Sequence, residues 1–326
     1  MTEGLGPELR DWFERRTIAG RAKTLQDVAG LKRASGLRTS VCLPALDEAE
    51  TVGSICRTIR KDLIEPGIVD ELAVVDSGST DATRRIAAEA GADVYRAEDV
   101  LPGLPPRVAS PGKGEAVWKG LAVTSGDLVV WVDSDIRDFS SHFISALLWP
   151  LLEDPGLVMT KGFYDRPLAP PRGAASEGDP RGGRVTELAA RPLLQLLCPA
   201  LGAVVQPLSG EYALRRSAAI EIPFVTGYGV DVALLVDVVA RFGIDSLAQV
   251  DLGRRVHRNR DLLSLGRTSF QVVKALLERL AATGALQLTS DLPGTFTQFH
   301  GPSATQATAD LEAELRPPMS TVRILR

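Results

Sequence analysis

Apolar runs and helix-spaced apolar positions alternate through residues 39–132. Thr39-Ser-Val-Cys-Leu43, closed by Pro44, is an apolar run that predicts a strand. From Asp47 to Leu63 the apolar positions Val52, Ile55, Cys56, Ile59 and Leu63 fall at helical spacing, so a helix follows. Glu71-Leu-Ala-Val-Val75 predicts a second strand, and the turn Asp76-Ser-Gly-Ser-Thr-Asp81 feeds a helix that runs to about Ala90. Val94-Tyr95, after Gly91, predicts a short third strand. Residues 98–114 are a Pro/Gly loop, and Glu115–Thr124 reads as a helix. Asp127-Leu-Val-Val-Trp-Val132 is a strand that runs into Asp133-Ser-Asp135. Unbroken apolar strands alternating with helices predict an α/β fold whose mainly parallel sheet is covered on both faces. Ligands in such sheets bind outside the carboxyl ends of the strands, where each of these polar turns lies.

The second half is less regular. Leu157–Tyr164 predicts a strand, and residues 166–184 form a long Pro- and Gly-rich loop carrying Arg166, Arg172, Arg181 and Arg184. A loop of that length in a compact protein is usually functional or disordered. Helices are expected from about Thr186, over Gly229–Phe242 and over Arg267–Thr283. Residues 7–33 are charged with sparse apolar positions, so residues 1–38 read as an N-terminal helical extension. Residues 289–326 read as an irregular C-terminal tail. The longest apolar stretch, Leu193–Val205, has 13 residues and is broken by Gln195 and Pro199. A bilayer crossing needs ~20.

Composition narrows the classes. The 326 residues are roughly two domains' length. The balance of 37 Lys+Arg against 41 Asp+Glu gives a net charge of −4, and the pI is 5.6. No general basicity therefore supports a nucleic-acid partner. Three Cys (Cys42, Cys56, Cys198) without a C-x-x-C pair build no disulfide framework. With an N-terminus that lacks an apolar signal core, they predict a cytoplasmic protein without a membrane span.

Four clusters carry candidate chemistry. Asp133 and Asp135 follow an uncharged strand, and two carboxylates at such spacing suit one divalent cation, or a cation plus a ribose. In Pro111-Gly-Lys-Gly-Glu-Ala116, Gly112 and Gly114 permit close backbone approach to a ligand, and Lys113 offers a charge to a phosphate or a base carbonyl. The segment is not a P-loop, because Arg107 stands where the first Gly belongs and Gly114 replaces the Ser or Thr. Asp76 sits at a strand end, beside Ser77, where it can accept from a nucleobase N–H. Gly253-Arg-Arg-Val-His-Arg-Asn-Arg260 holds four Arg around His257, which such surroundings keep neutral and available to a metal. Arg184, ahead of a helix with Thr186 as its possible cap, offers a further phosphate or carboxylate site.

In this order, Leu43-Pro-Ala-Leu-Asp-Glu48, Asp76-Ser-Gly-Ser-Thr-Asp81, Gly112-Lys-Gly114 and Asp133-Ser-Asp135 resemble the nucleotide-sugar glycosyltransferases of the GT-A fold. Gly183-Arg-Val-Thr186, Gly227-Tyr-Gly-Val-Asp231 and Arg255-Val-His-Arg-Asn259 narrow the resemblance to the retaining glucosyl-3-phosphoglycerate synthases of actinobacteria, over most of residues 40–290. The resemblance implies a GT-A-like (Rossmann-like) domain, with residues 39–136 as its nucleotide-sugar half and residues 137–288 as its acceptor half. It implies transfer of glucose from UDP-glucose, or another NDP-glucose, to 3-phosphoglycerate. The product is a precursor of methylglucose lipopolysaccharide. A Mg²⁺ or Mn²⁺ cofactor and a homodimer are implied with it.

Site residues follow by the same resemblance. Pro44, Leu46, Glu48 and Ser77 would line the uridine site with Asp76 close by, and Lys113 would reach the nucleotide. Asp133 and Ser134 would contact ribose or diphosphate, while Asp135 and His257 would hold the metal. Gly183, Arg184, Thr186 and Asn259 would bind the acceptor's phosphate and carboxylate, with Arg255 also on substrate. Tyr228 and Asp231 would lie near the donor glucose, Asp231 standing where the family often has Glu. Asp231, Asp135 and Lys113 are the candidate catalytic groups, and Asp231 and Glu211 the candidates for a nucleophile. Two other readings stay open: a GT-A transferase using GDP-mannose or a lipid-phosphate acceptor, and a nucleotidyltransferase or nucleotide-sugar-binding regulator.

Overall fold

In the computed structural model, which describes residues 6–108, 112–165, 183–255, 261–300 and 305–322, the apolar runs pair into one sheet. Its strands are β1 (Thr17–Ala19), β2 (Thr39–Ala45), β3 (Glu71–Asp76), β4 (Asp93–Arg96), β5 (Leu128–Trp131), β6 (Met159–Asp165) and β7 (Tyr212–Arg215), and beyond the separate two-residue strand β8 (Phe224–Val225), β9 (Leu247–Arg254). Their order is β1-β9-β6-β7-β5-β2-β3-β4. All neighbours are parallel except β7, which runs against both β5 and β6. This is the mainly parallel, GT-A-like sheet expected from the sequence.

Successive strand residues feed opposite cores, which explains the unbroken apolar runs. Val41, Leu43, Leu128 and Val130 pack beneath α2 (Leu25–Ser35), α3 (Val52–Ile59), α4 (Thr83–Glu89) and, past α5 (Gly112–Val123), α6 (His142–Glu153). Cys42, Val129 and Trp131 face the other core, built with α5 and with residues of α1 (Pro7–Arg16) and α7 (Arg191–Leu197). Beyond α8 (Arg216–Ala219), α9 (Val230–Phe242) and α10 (Leu262–Ala282) complete that layer. All three cysteines are free thiols, and burial pushes Cys42 and Cys56 up to about 12.

Two expectations are corrected here. The N-terminal extension is not purely helical: Thr17–Ala19 joins the sheet edge beside β9, and Trp12, 1% exposed, donates from Nε1 to Ile244 O at 2.9 Å. The C-terminal tail is not irregular either. Thr295–His300 and Thr305–Asp310 form an antiparallel hairpin, after which Leu315–Arg316 pairs with β8. Arg316 then forks onto Glu115 of α5 at 2.6 and 2.8 Å, and Trp118 donates to Pro317 O at 2.9 Å. These anchors are mostly polar, so no apolar pattern marks them. Among the described residues no helix is long and apolar enough to cross a membrane.

Candidate active site

The polar turns after β2 and β3 are laced together. Asp47 Oδ1 accepts from Thr80 N at 2.7 Å, Glu48 N donates to Thr83 Oγ1 at 2.8 Å, and Asp47 N donates to Ser79 Oγ at 2.9 Å. Asp76 has no exposed side chain. Its carboxylate accepts from Gly78 N, Ser79 N and the Ser79 hydroxyl, and pairs with Arg84 at 2.9 Å. Asp76 thus shapes its own turn at the edge of the expected nucleobase site. Beside it, Ser77, Gly78, Arg96, Glu98, Pro106 and Lys119 help line a cleft of about 190 Å³. Leu46 stands half exposed after β2, the position expected for a nucleotide-lining residue.

Pro44 and Ser134 are buried and bonded to each other, the Ser134 hydroxyl donating to Pro44 O at 2.7 Å. Thr51 Oγ1 donates to Ser134 O at 2.6 Å. Instead of presenting side chains to a ligand, the pair joins β2 to the turn after β5 and fixes where Asp133 and Asp135 emerge.

Lys113, Asp133, Asp135, Asp231 and Arg255 do come together. Lys113 Nζ lies 2.8 Å from Asp133 Oδ1 and 2.9 Å from Asp231 Oδ2. Arg255 pairs with Asp135 at 2.7 Å, with Asp133 at 3.5 Å and with Glu211. Burial opposes the charge on Lys113 and on Arg255. Their carboxylate neighbours win, holding Lys113 well above the usual lysine range and Arg255 well above that of arginine. Burial likewise opposes ionised Asp133, and Lys113 and Arg255 hold it well below the carboxylate range.

The glycines beside Lys113 also make room for protein backbone. A Cβ on Gly114 would overlap Val225 O and come within 2.9 Å of Thr226 Cα. One on Gly112, at φ +61°, would lie 3.2 Å from Gly227 Cα. This close approach to the backbone of residues 225–227 brings the start of α5 against the start of α9.

Three neighbours carry no sequence signal for this role. Glu211, wholly buried, accepts from Tyr164 Oη at 2.8 Å and from Ser209 Oγ at 3.0 Å besides Arg255. So surrounded, it does not serve as the nucleophile, which corrects that candidacy. Lys161 Nζ donates to Ser209 O at 2.7 Å and Asp231 O at 3.4 Å, and burial pushes it down to about 8. Arg255, expected on substrate within a cluster of four Arg, is enclosed by Asp133, Asp135 and Glu211.

The remaining predicted residues fall as follows. Tyr228, partly exposed, precedes α9 and donates its N–H to Gln271 Oε1 at 3.2 Å. Gly183, at φ +91°, leads into a helical turn that includes Arg184. Thr186 is buried inside that helix and so is not its cap. His257 and Asn259 lie outside the described residues, as does most of the loop 166–184. Among the described residues no group of three His, Cys, Asp or Glu is arranged to hold a metal. Asp133 and Asp135, each about a quarter exposed and already facing cations, are hard oxygen donors of the kind Mg²⁺ and Mn²⁺ take.

Residues 40–166 match Glycosyl transferase family 2. Glucosyl-3-phosphoglycerate synthase of Mycolicibacterium smegmatis is 48% identical over 299 residues, 91% of this chain and 94% of that protein. The chain belongs to the glucosyl-3-phosphoglycerate synthase family. The glucosyl-3-phosphoglycerate synthase of Mycobacterium tuberculosis, solved with Mn²⁺, UDP-glucose and phosphoglyceric acid, is 43% identical with a TM-score of 0.81, over 94% of this chain and 99% of that one. Mannosyl-3-phosphoglycerate synthase from Rubrobacter xylanophilus superposes with a TM-score of 0.86 at 37% identity, over 98% and 100%.

Proposed function

We propose that the chain transfers glucose from UDP-glucose to 3-phosphoglycerate, with retention at the anomeric carbon, releasing UDP and glucosyl-3-phosphoglycerate. The observation that carries this reading is Lys113 held between Asp133 and Asp231, where α5 and α9 begin. A buried ammonium there meets the charge that gathers on the diphosphate as the glycosidic bond breaks. Asp135 and His257 would hold the divalent ion, which when bound supplies Lewis-acid stabilisation of that diphosphate. Asp231, held in place by Lys113 at 2.9 Å, would face the donor sugar. With Glu211 occupied by Arg255, Tyr164 and Ser209 and Asp231 paired with Lys113, the arrangement favours departure and attack on one face of the sugar over a double displacement. Gly183, Arg184, Thr186 and Asn259 would take the acceptor's phosphate and carboxylate, residues 39–136 forming the donor half and 137–288 the acceptor half. We place the protein in the cytoplasm as a homodimer.

The likeness to a mannosyl-3-phosphoglycerate synthase makes GDP-mannose the competing donor. Purified protein incubated with Mg²⁺, 3-phosphoglycerate and either UDP-glucose or GDP-mannose should release UDP faster than GDP. Asp135→Ala should abolish metal-dependent donor binding and turnover. No UDP release overturns the reading, and faster GDP release moves it to the mannosyl donor.

A further inference from the structure

Arg255 has two working faces. Nη1 donates to Glu211 and to Tyr164 Oη at 2.8 Å, while Nη2 donates to Asp135 Oδ1 at 2.7 Å, and both nitrogens stand 3.5 Å from Asp133 Oδ2. The side chain is 3% exposed, and its guanidinium carbon lies 5.4 Å from the centre of the Tyr164 ring. Glu211 behind it never meets solvent, and its second oxygen is tied by Tyr164 and Ser209. A fixed, buried carboxylate thus aims a guanidinium at the two carboxylates after β5.

That arrangement bears on the order in which cations occupy the site. A divalent ion on Asp135 and a guanidinium bonded to the same carboxylate carry like charge and compete for its lone pairs. Without any cation, Asp133 and Asp135 would repel each other. A buried guanidinium stripped of all carboxylates would in turn be an uncompensated charge.

We propose that Arg255, positioned by Glu211 and Tyr164, is the site's own counter-ion: it holds Asp133 and Asp135 until the divalent ion arrives, then yields Asp135 to it. Glu211 keeps the guanidinium paired after that exchange, which makes Glu211 and Tyr164 positioning residues for the metal site. The inference rests on the reading that places the ion on Asp135.

Mn²⁺ titrated into the full-length protein saturated with UDP, followed by the EPR signal of free Mn²⁺ against a UDP-only blank, tests it. Arg255→Lys keeps the charge but replaces the fork with a single ammonium that cannot make both contacts. Its Mn²⁺ Kd should fall about tenfold, the worth of one charge-assisted hydrogen bond. Glu211→Gln should raise the Kd by about threefold or more, because Asp133 and Asp135 become the guanidinium's remaining carboxylate partners. If Arg255→Lys does not fold, Tyr164→Phe replaces it: this uncharged change loosens the anchor and should also raise the Kd. Asp135→Asn should abolish binding. Binding unaffected by Asp135→Asn overturns both the metal assignment and the counter-ion role. Binding lost in Asp135→Asn but unchanged or weakened in Arg255→Lys, or unchanged in Tyr164→Phe, overturns the counter-ion role alone, since long-range charge by itself predicts no change in either.

Discussion

Arg316→Met tests whether the C-terminal segment holds α5 in place. The substitution keeps an apolar stem over Trp118 and removes a fork made at 2.6 and 2.8 Å to Glu115, in a pair whose side chains are only 3% and 2% exposed. Removing one partner of a buried ion pair costs about 3–5 kcal/mol because the other charge is left uncompensated. Glu115 retains Lys119 at 3.0 Å, so the lower end, about 3 kcal/mol, is expected. At roughly 2 °C per kcal/mol for a chain of this size, the Tm should drop by about 6 °C. Glu115→Gln by itself strips buried Lys119 of its carboxylate, so the double variant should recover about 2 kcal/mol relative to the sum of the two single losses, a coupling read from urea melts of the four proteins of the cycle. Glu115 and Lys119 also line the cleft beside Ser77, so UDP binding measured by calorimetry should weaken with the single variant. A loss below about 1 kcal/mol with no recovery in the double variant would mean that the segment merely lies on the surface.

Three other perturbations probe the site. Gly114→Ala gains about 1 kcal/mol of helix propensity but drives a Cβ into residues 225–226, so a net loss of about 1–3 kcal/mol is expected in urea melts; a stabilised variant would contradict the close packing. Lys113→Met should lower kcat by about 100-fold or more in the UDP-release assay, and a kcat within tenfold of the parent would remove Lys113 from the chemistry. Lys161 is pushed down to about 8 by burial, against ~10.4 in the unfolded chain. Between those values the unfolded chain binds a proton that the fold does not, so this group makes stability rise with pH. The rise, up to about 1.4 kcal/mol per unit, should vanish in Lys161→Met, and parallel stability curves from pH 8 to 10 would refute the assignment.

The strands that position the site were legible because burial on both faces demands unbroken apolar runs, as in Leu128–Trp131, and because acids follow the strands abruptly. Charge can be read along a chain, but its pairing cannot. Arg255 reads as one of four clustered Arg, and only the fold shows Asp135, 120 positions earlier, bonded to it. Asp76 reads as a site acid, and only the fold shows that its own turn and Arg84 also hold it. Gly114 and Val225 meet only through the packing of α5 on the segment before α9. β7 is too short, at Tyr212–Arg215, to show a period, and the tail binds through Arg316 instead of an apolar stripe.

The reversal of β7 divides the molecule in a way that matters for redesign. Because that strand enters the sheet where the others leave it, Ser209 and Glu211 reach the site from the chain before β7. Residues 183–208 lie upstream of that entry, and their buried Val185, Leu194, Leu201 and Val204 pack in the core that also holds Cys42, Val129 and Trp131. A redesign of that segment keeps those apolar positions, while Ser209 and Glu211 hold the entry to β7.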